Sequence, residues 1–223
     1  MPRRAVATMM VLLLAGVPVL ARSAATSNLL PLGTVTQASR AHFNTSSVTA
    51  GATIYDGDGL STEPEGALQF RGSAVLLYLP GASSVRLHSL VNGTQAQLQS
   101  GTVIFSTARA AGMELIADEA FIRPLSDGPT VTEVTIIGPQ ELQINARRGG
   151  LEFSYRGETE TLAGNSSYRI LLDQPDSPWP PQRQQGPAKA AYENRKFKII
   201  LIAAIAWITE WGLHEVLESP DRP

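Results

Sequence analysis

The chain contains no cysteine. That absence excludes disulfide frameworks, thiolate metal sites and thiol nucleophiles, and leaves the fold to be stabilised by apolar burial. Histidine is nearly as scarce. His42, His88 and His214 have no second His or Cys at metal-ligand spacing, and the His214-Glu215 pair departs from the H-E-x-x-H zinc pattern because Glu218 stands where the second His belongs. Strong net charge is missing as well. Eighteen basic against 20 acidic residues leave a formal charge of −2, too weak a field to steer a polyanion, so nucleic acid is not expected as a partner. Phosphate loops, dinucleotide fingerprints and G-x-S-x-G elbows are absent between the apolar ends.

Acids that stand close in sequence are few. Glu63 with Glu65 and Asp118 with Glu119 are candidate carboxylate couples, but acids that neighbour or alternate in turns and strand ends are expected to be solvated. Asp56, Gly57, Asp58 and Gly59 resemble the start of a Ca²⁺ loop without its further acidic ligands or closing Glu, so a tight turn is expected there. Arg147 and Arg148 form the single basic doublet of the central region, expected in a solvent-facing turn before Gly149 and Gly150, with anion binding as the alternative. Asn44, Asn92 and Asn165 each open an N-x-[ST] triplet, which turn composition and chance explain. No catalytic residue, no cofactor and no metal ligand set is assigned, and the chain is not expected to be an enzyme.

What the sequence does have is apolar ends around a patterned middle. Arg3 and Arg4 precede an apolar run from Ala5 to Leu20 and the small residues Ala21, Ser23, Ala24 and Ala25, the form of a secretory signal over residues 1–25. Retention of that segment as an anchor is the alternative, opposed by Pro18 and the short run. At the other end, IILIAAIAWITEWGL over 199–213 predicts a hydrophobic helix within 197–217 that spans or lies on the membrane. As a helix that run reaches about 22 Å against a hydrocarbon core of about 30 Å, and lengthening it admits Glu210, His214 and Glu215. Arg195, Lys196 and Lys198 precede the run on the side an exported domain would occupy, against the positive-inside preference. Pro175, Pro178, Pro180, Pro181 and Pro187 mark residues 174–196 as an extended linker.

Between these ends, residues 31–173 read as short alternating segments separated by turns near every tenth residue, the form of an all-β sandwich or β-solenoid. Turns are expected at Asp56–Gly59, Pro64–Gly66, Pro80–Ser83, Asn92–Gly93, Asp127–Pro129, Arg147–Gly150, Arg156–Gly157 and Ala163–Asn165. Val75, Leu77 and Leu79 alternate with Leu76 and Tyr78, predicting a strand buried on both faces. Val85 with Leu87 and Val103 with Phe105 repeat the period of two. So do Met113, Leu115 and Ala117, then Leu142, Ile144 and Ala146, then Leu151, Phe153 and Tyr155.

The run VTAGATIYDGDGLSTEPEGALQFRGSAVLLYLPGASSVRL, residues 48–87, resembles the core of the FecR-type domain, a β-rich module of bacterial envelope proteins. The matching positions are Gly51, Ile54, Gly57, Asp58, Leu60 and Thr62, then Gly66, Leu68, Gly72, Ser73, Val75 and Leu77, then Ser84, Val85 and Leu87, with a further strand pair around Leu98 and Gly101. A looser likeness runs to Asp173. The resemblance implies an exported β interaction module. A cytoplasmic anti-sigma segment and a C-terminal signalling subdomain have no counterpart here, so sigma-factor regulation is not carried over. The expected function is a non-catalytic, membrane-anchored envelope domain that binds a protein or glycan, for sensing or scaffolding; a glycan-modifying enzyme on a β-solenoid and a structural envelope component are the alternatives.

Overall fold

The structure is a computed structural model and describes residues 31–172 and 196–202. The expected signal, the linker up to residue 195 and residues 203–217 of the expected helix lie outside the described residues. Within them the chain is almost entirely strand, as the alternation predicts. The helical exception among the described residues is a short 3₁₀ turn, Ala110–Gly112.

Two long strands start the fold: β1 (Gly33–Phe43), with short partners β2 (Ser46–Ser47) and β3 (Thr53–Ile54), lies antiparallel to β4 (Gly59–Gly72). Strand β4 serves two arms of one curled sheet. Its C-terminal half pairs with β5 (Val75–Leu79), and its N-terminal half pairs with β6 (Ser84–Leu90). The change of partner occurs where the β1 register jumps from Ser39↔Ala67 to Ala41↔Thr62. Surplus residues Glu63, Pro64 and Glu65 bulge into solvent, and such a bulge bends and twists a strand enough to turn a corner. Pro64–Gly66 is therefore a bulge inside β4 and not the chain-reversing turn the sequence suggested.

From β5 onward the chain alternates between arms. Arm one runs β4–β5, then β8 (Thr102–Thr107), β11 (Thr130–Gly138), β12 (Glu141–Arg148), β15 (Ser166–Leu172) and β16 (Phe197–Ile202). Arm two runs β4–β6, then β7 (Gly93–Ser100), β9 (Met113–Ala117), β10 (Ala120–Pro124), β13 (Leu151–Tyr155) and β14 (Glu158–Leu162). Pairing is antiparallel throughout except β7 with β9, where the intervening excursion to β8 returns the chain in the same direction. Stacked parallel coils would define a solenoid; this hairpin-built curl is a half-barrel whose arms close on each other.

The inner faces form one core. Leu68, Phe70, Leu77, Leu79, Phe105, Ile144 and Ile170 of arm one are fully buried with Leu60, Leu87, Leu115, Ile122 and Phe153 of arm two. In β5 the outward Leu76 and Tyr78 are half-buried, so the strand has one fully buried face rather than two.

Strand β16 overturns the start of the predicted C-terminal helix. Residues 197–202, FKIILI, pair antiparallel with β15 from Leu172↔Phe197 to Ser167↔Ile202. Three β-branched isoleucines favour the pleated surface over a helix. Phe197 enters the core and meets the Phe153 ring edge-on at 5.0 Å and Tyr155 at 6.4 Å, joining the far ends of the two arms. Lys196 reinforces that closure, its backbone N–H donating to Glu158 and its Nζ to the Arg156 carbonyl at 2.8 Å.

Candidate interaction surface

The residues that carry the family-like pattern are placed in the core and turns. Ile54, Leu60, Leu68, Val75, Leu77, Val85, Leu87 and Leu98 are buried, and Gly51, Gly57 and Gly101 occupy positive φ. Thr62 is buried between turns. Its hydroxyl donates to the Pro80 carbonyl at 2.5 Å and accepts from the Ser83 N–H at 3.1 Å, while Ser83 Oγ accepts from the Thr102 N–H. These side chains fasten β4 to the β5–β6 and β7–β8 connections. Outward side chains and strand edges are the surfaces left open to a partner.

Glu63 and Glu65 are held by different partners, whereas Asp118 and Glu119 stay neighbours. In the β4 bulge Glu63 faces His42 at 3.0 Å, whereas Glu65 pairs with Arg40. Asp118 and Glu119 form the two-residue turn between β9 and β10, both at positive φ as a type I′ hairpin requires. Glu119 lies 3.7 Å from Arg156. Burial, and secondarily the neighbouring Glu119 charge, raises the Asp118 pKa above its ordinary value. The Asp56–Gly59 segment is a turn: Asp58 accepts from the Tyr55 N–H and Asp56 from the Ser89 N–H, both at 2.7 Å. His88 stands 3.6 Å from Asp56. Among the described residues no group of three or more His or acidic side chains is placed to hold a metal ion, and His214 lies outside them.

The arginine doublet splits across its strand. Arg147 lies on the outer face of arm one and pairs with Glu133 at 2.6 Å, each side chain 19% exposed, while Arg148 is exposed. Both sit on β12 and not in the turn itself. Arg169 is tied to Glu141 on the same face, a hydrogen bond and charge contact that raise its pKa. Asn44 caps a turn by accepting from the Gly59 N–H at 3.1 Å; Asn92 and Asn165 lie in turns.

The outer face of arm two has a different character. Strand registers align Arg86, Gln97, Ile116, Phe121, Ser154 and Thr159 in one row. The next row aligns His88, Gln95, Glu114 and Glu152, with Arg123 3.4 Å from Glu114 and 3.8 Å from Glu152. Phe121 is 37% exposed beside the half-buried Ile116. An apolar pair is thus ringed by amides, hydroxyls and both signs of charge. Neither residue was singled out as functional from the sequence, although the alternation of buried Ala120, Ile122 and Pro124 already implies that Phe121 and Arg123 point outward.

A shallow cleft of about 320 Å³ lies at one end of arm one, lined by Arg71, Val75, Leu76, Ser106, Thr107 and Pro129. Thr107 spends its hydroxyl on the Ala74 carbonyl at 2.8 Å, so the cleft offers little convergent polarity. The second unusual surface is β16, whose outward edge has no strand partner among the described residues and whose Ile200 and Leu201 are 38% and 62% exposed.

No protein-family model matches the chain, and no curated protein does. Among solved structures it is similar to two crystal structures, at 1.65 and 2.50 Å resolution, of a "putative anti-sigma factor" from Parabacteroides distasonis ATCC 8503. Each is 13% identical with a TM-score of 0.43, and the match covers 51% of this chain and 54% of that one. The likeness is partial: the chain spans about half the length of the solved chain it matches.

Proposed function

We infer that this chain is an exported, non-catalytic, FecR-like β-domain that binds another protein of the cell envelope through the outer face of arm two. One observation carries the reading: the residues of the FecR-like pattern support core and turns, while Phe121 and Ile116 stand exposed or half-exposed within a polar ring. A partly exposed aromatic beside an aliphatic, flanked by Arg86 and Arg123, has the composition of a protein-binding hot spot. The separation of Glu63 from Glu65 by different partners supports a non-catalytic role. A glycan partner is the second reading, favoured by the amide and carboxylate row of Gln95, Gln97 and Glu114 beside the ring.

Export rests on the signal-like residues 1–25. The helix expected over residues 197–217 is replaced by strand at 197–202, which β16 draws into the sheet, so any membrane contact is proposed for the residues that follow. The apolar remainder, residues 203–213, would reach about 16 Å as a helix, half a hydrocarbon core. Among the described residues no helix is long and apolar enough to cross a membrane. The reading is that Trp207 and Trp211 serve at a membrane surface and not within a span.

Photo-cross-linking in intact cells tests the reading, with the probe at position 121 and, as control, at the fully solvated Val91. A protein adduct at 121 and none at 91, lost in the full chain carrying Arg123→Glu, is expected. Equal labelling at both positions, or hydrolysis of envelope polymers by the purified protein, would overturn it.

A further inference from the structure

The two ends of the curled sheet are protected unequally. Strand β14, the end of arm two, carries Glu158 and Glu160, charges that discourage another strand from docking. Strand β16, the end of arm one among the described residues, has no proline and no bulge, and one charge, Lys198. Exposed apolar edges of this kind are templates for a further strand.

The neighbouring sequence is poorly suited to cover that edge. Residues 203–206 read Ala-Ala-Ile-Ala and hold none of the Gly, Asn, Asp or Pro that a tight reversal onto β16 requires. The 174–195 segment has five prolines, each lacking the N–H that a ladder needs.

The strand is, by contrast, complementary to itself. An antiparallel pairing about a two-fold axis at Ile200 sets Ile200 against its own copy, Lys198 against Ile202 of the second copy, and Ile199 against Leu201 of the second copy. Residues directly opposite share a face, so Lys198, Ile200 and Ile202 continue the outer face of arm one while Ile199 covers the exposed Leu201. No like charges are opposed. A formal charge of −2 adds little repulsion between copies.

We propose that β16 pairs antiparallel with β16 of a second copy, joining two arm-one sheets across a two-fold axis at Ile200. One six-residue edge buries a small area, so the dimer belongs to the weak, reversible class. The pairing uses an arm-one edge and none of the arm-two face residues, so it stands or falls independently of the partner proposed above.

The cysteine-free sequence makes the test direct. Single variants I200C, K198C and V91C of the full chain are oxidised mildly, with and without detergent. In the two-fold register two residues at position 200 fall within disulfide reach, whereas two at 198 do not. I200C should form disulfide-linked dimer about tenfold faster than V91C in both conditions, with K198C at the V91C level. Sedimentation of the otherwise unchanged chain should show a concentration-dependent dimer that Ile200→Lys shifts to monomer. Linking of I200C no faster than V91C, dimerisation that vanishes in detergent, or an I200C adduct with a different protein in cells would overturn the proposal.

Discussion

At the scale of single residues, the turns are the points where chemistry permits least substitution. Gly101 has φ +75°, and a side chain there would collide with the Ala82 carbonyl oxygen and Ser83. Gly101→Ala should therefore lose about 2–3 kcal/mol of stability by urea denaturation. Asp118 makes a prediction in pH. Its folded pKa is raised, so the folded state binds a proton more readily than the unfolded chain, and its contribution to stability is present below the unfolded value of 3.8 and fades as pH rises through the folded value. Asp118→Asn, which keeps a residue type tolerant of positive φ, should match the parent below that window and exceed it in stability above, read from melting temperatures across pH 3–7. Equal curves would remove Asp118 from the account. The individual partners of these residues were not legible in the sequence: Glu63 and Glu65 look like a pair in the chain, and only the register of β1 against β4 assigns one to His42 and the other to Arg40.

At the scale of elements, alternation was a sound guide wherever one face meets the core. Leu142, Ile144 and Ala146, and Leu151, Phe153 and Tyr155, are buried on the side their period of two indicates. Local pattern misplaced other features: Leu76 and Tyr78 of β5 are half-buried rather than core, and Arg147 and Arg148 lie on β12 rather than in a turn. Pro64–Gly66 carries turn residues but lies in a bulge, because the same chemistry that reverses a chain also bends a strand. Phe197–Ile202 runs into Ala- and Trp-rich residues, so local hydropathy outweighs its isoleucines; the decisive contacts, with Phe153, Tyr155 and β15, are long-range and invisible to local pattern. If β16 is part of the domain, Phe197→Ala should cost about 3 kcal/mol, whereas Val91→Ala should stay within about 0.5 kcal/mol. Denaturation of the full chain reads both. A neutral Phe197→Ala would return residues 197–202 to the tail.

At the scale of the molecule, a curled sheet with its core sealed between two arms leaves faces and edges as the places where recognition can occur. The two arms differ: arm one presents the ion pairs Glu133–Arg147 and Glu141–Arg169 with the exposed Ile137, and arm two presents Phe121 in a polar ring. Fold class was legible because every arm is built from hairpins with one buried face. The proposed interaction surface was not, since it arises from rows assembled across six strands. The proposed function places the domain outside the cytoplasm, with β16 part of the sheet. Reporter fusions after Asp173 and after Pro223, each with a periplasm-active and a cytoplasm-active enzyme, measure that directly. Periplasmic activity at both positions is expected; cytoplasmic activity at Pro223 would restore a membrane span beyond β16, and cytoplasmic activity at Asp173 would contradict the exported domain itself.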